Sequence, residues 1–254
     1  MIPNLTVINR PSFGHGVQNI LESMRIIWNP SEEATEAEAL LEFCGRICYL
    51  SFDPNPHSNL TTREYVKKLV RSGHESVLEH AQWTFILHGV TRGFSHQLVR
   101  HRVGFAFSQL SQQYHDESGA ELIEPRELNF NSSLRDKWKS VEKSIHDFYS
   151  AALVSSEPHE GISKRESIRY ARSLARSLLP NATRTVICVS ANVRALRHFM
   201  SVRGDIDGDL EMRLVSEKIY DMLSIEAPST VFDFAKHRFA DGTVSIIKRP
   251  ESDI

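Results

Sequence analysis

The chain has 254 residues, of which 41% are apolar, and its formal net charge is −2 at pH 7. This length and apolar content allow a substantial hydrophobic core, as in an ordinary globular protein. The slight negative charge gives no long-range positive field, so we expect neither nucleic acid nor an anionic membrane surface as a partner. Any anion must therefore be bound by a local group of cations.

Cysteine usage and the N-terminal sequence indicate the compartment. Cys44, Cys48 and Cys188 cannot form a fully paired disulfide framework, which favours a reducing, cytoplasmic location. They lie in apolar patterns without an activating neighbour, so we expect all three in the core rather than acting as nucleophiles. Residues 1–16 lack the apolar segment of a signal peptide, and no apolar run approaches the length of a membrane span.

Periodicity and capping signals predict an N-terminal extension at residues 1–22, followed by one domain at residues 23–254. The predicted strands are residues 24–28, 80–90 and 183–190. The predicted helices are residues 34–49, 62–70, 91–102, 133–153, 164–179, 192–203 and 209–225.

The order of these elements predicts the fold class. Helices alternate irregularly with a few strands, no period of 20 to 50 residues repeats, and no low-complexity linker divides the chain. We therefore expect an α+β fold, a single mixed domain in which a small sheet is flanked by long helices.

Residues 100–111 form the most informative segment and read Arg-His-Arg-Val-Gly-Phe-Ala-Phe-Ser-Gln-Leu-Ser. Guanidinium groups stay charged and bind phosphate bidentately. At a helix end, Arg100 and Arg102 would point about 200° apart and could hold two anionic groups. The small polar residues that follow favour a loop around a ribose and phosphate. The segment indicates a nucleotide ligand, and the alternative is a solvated helix end followed by a polar loop.

His74 and His80 superficially resemble a zinc-binding helix. His80 lies six positions after His74, which places the two about 240° apart on a helix and not on one face. We therefore expect no metal site.

Four separated segments together are similar to the motifs of the flavin-dependent thymidylate synthases. They are Gly73-His74-Glu75-Ser76-Val77-Leu78-Glu79-His80, the Arg-His-Arg segment, Ala175-Arg176-Ser177-Leu178-Leu179-Pro180, and Asn192-Val193-Arg194-Ala195-Leu196-Arg197-His198-Phe199. Their order and spacing also agree, and the resemblance extends from about Met24 to Arg213. Coincidence of four motifs is far more specific than the triplet alone.

The resemblance implies a homotetramer in which neighbouring subunits share each active site. It implies FAD as hydride carrier, NADPH as reductant, methylenetetrahydrofolate as carbon donor, and dUMP as the acceptor methylated at uracil C5. It assigns flavin binding to His74, Ser76, Glu79, His101, Arg102, Asn192, Arg194 and His198. It assigns nucleotide binding to Gln97, Arg100, Gln109, Leu110, Ser111, Gln112, Gln113, Arg176 and Arg203.

Arg203 is the candidate catalytic residue. Uracil C5 becomes nucleophilic only if charge pushed onto the pyrimidine oxygens is stabilised, and a fixed guanidinium in a dry site does this. The alternative for Arg203 is a cation at a helix C-terminus, paired with the last carbonyl groups or with Asp205. Ser111 has no general base beside it in sequence, so we assign it to ligand binding.

Three positions depart from the family pattern. Val103 to Leu110 places eight residues between the triplet and the serine, where seven are usual. Gln113 replaces a usual arginine, and Asp207 replaces a histidine found in many members. Gln113 loses about 1.5–3 kcal/mol of charged hydrogen bonding but adds an acceptor for a hydroxyl group. We therefore hypothesise that UMP is used as well as, or instead of, dUMP, as a nucleoside-antibiotic pathway would require.

Two alternatives belong to other functional classes. The three departures also suit a flavin- or nucleotide-binding homologue without turnover. An RNA-binding module using Arg92, Arg100 and Arg102 is disfavoured, because the chain lacks a basic stripe.

Overall fold

The computed structural model describes residues 3–14, 16–52, 60–155, 161–205, 209–250 and 252. The α-helices are α1 (Val17–Ser23), α2 (Glu36–Ile47), α3 (Thr62–Arg71), α4 (Glu75–Leu78), α5 (Arg92–Leu98), α6 (Ser132–Ser155), α7 (Lys164–Ala175), α8 (Val193–Arg203) and α9 (Leu210–Glu226). The strands are β1 (Asn4–Asn9), β2 (Gln82–Thr91), β3 (Phe105–Gln109), β4 (Arg184–Asn192), β5 (Phe234–Arg238) and β6 (Val244–Lys248). Short 3₁₀ helices span Arg126–Phe130, Arg176–Leu178 and Pro228–Thr230.

Four of these strands form one sheet and the last two form a separate ribbon. The sheet order is β1-β2-β4-β3, and β5 pairs with β6 antiparallel, with Phe234 opposite Lys248. The predicted α+β class, a small sheet with long helices, is confirmed. None of the described helices combines the length and apolarity that crossing a membrane requires.

Three helices begin with a capping box, which the sequence indicated for the two that start after Thr61 and Ser163. The residues before α2, α3 and α7 are Thr35, Thr61 and Ser163, and each hydroxyl accepts a hydrogen bond from the backbone N–H three residues later. In return, the glutamate at that later position accepts a hydrogen bond from the backbone N–H of the capping residue. These reciprocal bonds satisfy N–H groups that the first helical turn leaves unpaired.

The backbone contacts divide the chain into two compact units. The first unit contains residues 1–3, 87–100 and 108–187, and the second contains residues 4–86, 101–107 and 188–254. A boundary between an extension and a domain at residue 22 stays a prediction.

The first unit has its apolar cluster between α6 and α7. Tyr149, Ala152 and Ala175 are buried there. The hydroxyl of Tyr149 accepts a hydrogen bond of 2.9 Å from the backbone N–H of Glu117, so the buried ring also keeps its polar atom satisfied.

The second unit has its core around the first half of β2 and helices α8 and α9. Trp83 and Phe85 alternate with more exposed neighbours, as the period of a half-buried strand requires. The Trp83 indole donates a 2.5 Å hydrogen bond to Oε2 of Glu226 at the end of α9. The predicted strand and both predicted helices of this core are confirmed.

Two predictions near the N-terminus and the triplet differ from the structure: one strand is absent and one helix is shorter. Residues 24–28 form no strand; they follow α1, Ile27 is 89% exposed, and Trp28 instead packs against the rings of Phe13, Phe43 and Phe52. The helix predicted over residues 91–102 ends at Leu98. There the N–H of Arg100 bonds the carbonyl of Gln97 at 3.2 Å, which tightens the chain into a turn.

The prediction of a loop after the triplet is only partly correct, because strand β3 occupies residues 105–109. Its side chains alternate between half-buried and exposed, with Phe105 and Phe107 on the inner side. The Phe-Ala-Phe-Ser-Gln alternation was present in the sequence, but the neighbouring glycine and serines gave a stronger loop signal.

The prediction that all three cysteines lie in the core is also wrong. Cys48 is exposed at the end of α2, whereas Cys44 and Cys188 are half-buried. Burial raises the pKa of the Cys44 thiol, and the nearby Cys48 raises it further. The apolar pattern that contains Cys44 and Cys48 runs past the last turn of α2. Cys48 follows the final helical residue, so it no longer lies on the buried face of the helix.

Gly204 fixes the hairpin of β5 and β6 against the end of α8. The N–H of Ile246 donates to the carbonyl oxygen of Gly204 at 2.7 Å. A Cβ added at Gly204 would lie 2.5 Å from the backbone oxygen of Met200 and 2.7 Å from that of Ile246. Both neighbours are backbone atoms held in regular structure, so only glycine fits without displacement.

We therefore predict that Gly204→Ala destabilises the protein by about 1–3 kcal/mol, because an extra methyl group must push β6 away from α8. The thermal unfolding midpoint measures the change. Gly119→Ala is the matched control, since nothing lies within 4 Å of its Cβ position. Equal midpoints for both variants would contradict this account of the α8–β6 junction.

Candidate functional site

The second unit contains a cavity of about 340 Å³ between α4, the start of α8 and the C-terminal hairpin. Four residues to which the sequence assigns flavin binding line it: Glu79, Asn192, Arg194 and His198. The remaining lining residues are Glu75, Val103, Ala195, Arg197, Ser201, Phe234 and Lys248. Arg194 and His198 share one face of α8, as their spacing of four residues predicts.

Asn192 positions the start of α8 at this cavity. Its side-chain oxygen accepts a 2.9 Å hydrogen bond from the N–H of Ala195, and its own N–H bonds the carbonyl of Gly104 at 3.2 Å. Gly104 has a φ of +74°, and a Cβ there would lie 2.8 Å from both Ala195 Cβ and Asn192 Nδ2. The glycine after the triplet is therefore required both by its conformation and by the close approach of α8.

Arg194 forms the first of two charged clusters along the cavity, the Arg194 cluster. Its guanidinium contacts Glu79 at 2.7 Å and Glu75 at 3.3 Å. The hydrogen bond with Glu79 is the main cause that raises the pKa of Arg194. The group is largely exposed, so these ion pairs contribute little to stability and can exchange for a ligand.

Arg197 forms the second cluster, the Arg197 cluster, which is buried. Its guanidinium binds Asp233 bidentately at 2.6 and 2.7 Å, donates to the carbonyl of Thr230, and lies 5.1 Å from the ring centroid of Phe234. The ammonium of Lys248 lies 3.9 Å from the same carboxylate. Two cations thus surround one carboxylate.

Arg203, the candidate catalytic residue, contacts His101 of the triplet. Its Nε donates to Nε2 of His101 at 3.3 Å, and the His101 ring packs against Phe199 at 5.2 Å and near His198 at 6.1 Å. Burial lowers the pKa of His101, and the positive charge of Arg203 and the neighbouring His198 lower it further. A neutral His101 can therefore accept the Arg203 hydrogen bond at neutral pH.

The first unit contains most of the residues to which the sequence assigns nucleotide binding. Gln109 donates through its side-chain amide to Ser95 Oγ at 2.7 Å and to Thr185 Oγ1 at 3.3 Å. The hydroxyl of Ser111 accepts the backbone N–H of Gln113 at 3.3 Å. Gln112 lies in the turn between them.

Arg92, which the family resemblance does not assign to the site, lies beside this turn. Its Nη1 donates to the carbonyl of Leu110 at 3.0 Å. Burial lowers the pKa of Arg92; Glu117 opposes the shift and the positive charge of Arg176 adds to it. The structure therefore brings Arg176 close to a second guanidinium beside the Leu110–Ser111 segment.

Several predicted residues lie elsewhere. His74, Ser76 and Arg102 are exposed and do not line the cavity, although the first two belong to the α4 segment that carries Glu75. Gln97 lies in α5, and Arg100 follows that helix in an exposed turn. Asp207 lies outside the described residues.

Arg197, Phe234 and Lys248 are cavity residues that sequence reasoning missed. Arg197 lies inside the motif at residues 192–199, but arginine is a typical surface residue, so the sequence gives no indication that this one is buried. Phe234 and Lys248 belong to an alternating pattern at the C-terminus that could have indicated a hairpin. No three His, Cys, Asp or Glu side chains in the described ranges are grouped so that they could hold a metal ion.

Comparison with known proteins identifies the family. The family model for "Thymidylate synthase complementing protein" matches residues 32–229. A flavin-dependent thymidylate synthase of Corynebacterium efficiens is 38% identical over 218 residues, covering 83% of this chain and 85% of that protein. The enzymes of Mycobacterium sp. (strain JLS) and Corynebacterium diphtheriae are 38% identical over 222 residues and 34% over 224. The matched regions cover 82% and 85% of this chain, and 85% and 86% of the two relatives. The chain therefore belongs to the flavin-dependent thymidylate synthase family, as the four motifs predicted.

The contact between Arg203 and His101 generates a prediction about protonation. We expect His101 to titrate below its ordinary pKa of 6.5, and Arg203→Gln to raise that pKa without fully restoring it, because burial is the larger cause. NMR titration of the histidine ring protons measures both, with His101→Gln assigning the resonance. Arg238→Gln, an exposed change on β5, serves as the charge control.

The same shift has a defined effect on stability. Because the folded pKa is lower than the unfolded value, His101 contributes stability above about pH 6.5, and this is lost as pH falls through the folded pKa. An unchanged His101 titration in Arg203→Gln would show that the guanidinium does not face the imidazole in solution.

Proposed function

We propose that this protein adds a one-carbon unit to C5 of a uridine nucleotide in a flavin-dependent thymidylate synthase reaction. The proposed cofactor is FAD, with NADPH as reductant, methylenetetrahydrofolate as carbon donor and dUMP as the acceptor. The names of the relatives and the four motifs support this assignment. The single structural observation that carries it is the Arg203–His101 contact, which joins the candidate catalytic arginine to the signature triplet.

The side chains around the cavity suit a flavin dinucleotide. Asn192, Arg194 and His198 offer amide, guanidinium and imidazole nitrogens for the oxygens of a diphosphate, and Glu79 can accept hydrogen bonds from ribose hydroxyls. When bound, the flavin would supply the hydride of the reaction. The Glu75 and Glu79 pairs with Arg194 are exposed, so a phosphate can replace a carboxylate at small cost.

The turn after β3 suits the phosphate of the nucleotide. Arg92 and Arg176 are close enough for their positive charges to oppose one another, and an anion between them would relieve this repulsion. Ser111 lies next to Leu110, whose carbonyl Arg92 binds, and offers a hydroxyl donor. We assign Arg100, Ser111 and Arg176 to the phosphate, and Gln97 and Gln109 to the neighbourhood of the sugar.

Arg203 would activate the uracil. His101 accepts its Nε–H, and its two terminal nitrogens carry further N–H groups. Those N–H groups can stabilise negative charge on the pyrimidine oxygens, which raises electron density at C5. A neutral His101 fixes the guanidinium plane without adding a competing positive charge.

The assembly and compartment belong to the same proposal. We propose a homotetramer whose neighbouring subunits share active sites, located in the cytoplasm, with residues 23–254 as the catalytic domain. Light scattering coupled to gel filtration measures the subunit number directly.

Gln113 favours a second candidate substrate, UMP. Its backbone N–H is bonded to Ser111, so its side chain belongs to the turn proposed to bind the nucleotide. The neutral amide can accept a hydrogen bond from a 2′-hydroxyl, which an arginine cannot. UMP-preferring methylation in a nucleoside-antibiotic pathway is therefore the alternative function.

We predict that Arg203→Gln lowers kcat/KM for C5 methylation about 100-fold or more, because it removes charge stabilisation of the activated ring. Folate-dependent tritium release from nucleotide labelled at C5 measures the rate. Flavin affinity should stay within about threefold of wild type, and Arg238→Gln should retain full activity. Full activity in Arg203→Gln would remove Arg203 from the mechanism.

We also predict that Gln113→Arg lowers the ratio of UMP to dUMP tritium-release rates by about tenfold, because the acceptor for the 2′-hydroxyl is lost. Gln82→Arg adds the same charge at an exposed position on β2, outside this turn, and is the control. The same ratio in wild type and Gln113→Arg would exclude Gln113 as the cause of sugar selectivity. No release from either nucleotide despite bound flavin would favour the homologue without turnover.

A further inference from the structure

We propose that Lys248, on the C-terminal hairpin, binds a phosphate group of the flavin dinucleotide in the cavity beside α8. The family model matches residues 32–229, so neither Lys248 nor its neighbour Phe234 lies in the matched region. The inference rests on the proposed function, because it assigns a further residue to the same cofactor site.

The two charged clusters along the cavity are not equivalent. The Arg194 cluster contains one cation and the carboxylates of Glu75 and Glu79, which gives it a formal charge of −1. The Arg197 cluster contains Arg197, Lys248 and one carboxylate, which gives it +1. The excess positive charge of the cavity lining is therefore at the Lys248 side, and an anionic group is favoured there.

Lys248 supplies this excess positive charge because the carboxylate nearest to it, that of Asp233, is already neutralised by Arg197. Both oxygens of Asp233 accept hydrogen bonds from Arg197 at 2.6 and 2.7 Å, whereas Lys248 lies 3.9 Å away. The Lys248 side chain is 59% exposed, while that of Asp233 is 4% exposed. The ammonium can turn toward a ligand without leaving a buried carboxylate unpaired.

The hairpin register directs Lys248 to the cavity. Phe234 and Lys248 are directly opposite in the antiparallel pair, so their side chains project from one face of the ribbon, and both line the cavity. The N–H of Arg249 bonds the carbonyl of Asp233 at 2.7 Å, immediately after Lys248. Together with the bond between Ile246 and Gly204, this fixes the backbone on both sides of the lysine.

Phosphate is the ligand group that this environment fits. An ammonium is a compact point charge with three donors and binds phosphate oxygens from any direction. His198 and Ser201, which line the same cavity, provide further donors for those oxygens. The isoalloxazine ring has no anionic group of this kind, so Lys248 should distinguish FAD from riboflavin.

The test measures flavin binding. Flavin is titrated with the flavin-free protein, and the quenching of flavin fluorescence reports the bound fraction. We expect Lys248→Gln to weaken FAD binding about tenfold and to leave riboflavin binding unchanged. The salt dependence of FAD affinity should also be less steep in Lys248→Gln, because one fewer cation is screened. Lys248→Arg should keep both the affinity and the salt dependence.

Lys236→Gln is the matched control, since it removes the same charge from the adjacent strand β5. Lys236 binds Glu217 and Asp221 at 3.1 and 2.6 Å and does not line the cavity. This variant should lower the thermal unfolding midpoint yet bind FAD as wild type does. Because Lys248 is exposed, we expect Lys248→Gln to have the same circular dichroism spectrum as wild type, which checks that its fold is intact.

The outcomes separate this inference from the proposed function. If wild type binds FAD and Lys248→Gln equals it in affinity and salt dependence, the assignment of Lys248 is overturned and the proposed function stands. Equal weakening of FAD and riboflavin binding would also overturn it, because a structural role then explains the loss. A wild-type protein that binds no flavin contradicts the proposed function, and the role of Lys248 with it.

Discussion

The buried ion pair between Arg197 and Asp233 is the constraint on which the candidate flavin cavity depends. A guanidinium and a carboxylate removed from water must remain paired, since breaking one partner of such a pair costs several kcal/mol. The pair therefore fixes α8 to the segment that enters the C-terminal hairpin. Arg194 and His198 project from that helix, and Lys248 from that hairpin, so this ion pair and the hydrogen bond between Ile246 and Gly204 together set the spacing of three cavity residues.

The fold was largely predictable where local signals agree with one another. The capping boxes at Thr61 and Ser163 gave correct helix starts, and the alternation around Trp83 gave a correct strand. Failures occurred where two signals competed. Gly104 indicated a loop while the phenylalanines after it indicated a strand. The apolar residues 24–28 were long enough for a strand, but Trp28 packs in an aromatic cluster with Phe43 and Phe52 instead of entering the sheet.

The grouping of side chains at the candidate site was predictable only where a motif contained them. Glu79, Asn192, Arg194 and His198 were grouped by resemblance, and the structure places all four on one cavity. Charge pairing is not visible in a sequence, because Arg197 and Asp233 are 36 residues apart and neither differs in type from a surface residue. Lys248 was missed for the same reason. Its proposed role depends on Asp233 being bonded already to Arg197, which the sequence does not show.

The period of β3 limits how this segment can vary between relatives. Side chains of the strand alternate with a period of two, so Phe105, Phe107 and Gln109 lie on one face. Removing a single residue between the triplet and the serine would turn that face outward unless a bulge or a longer turn absorbed the change. The segment between the triplet and the serine therefore cannot be shortened to the length found in relatives by deleting one residue. A segment exchanged between two relatives must include the turn at Gly104 that fits its length.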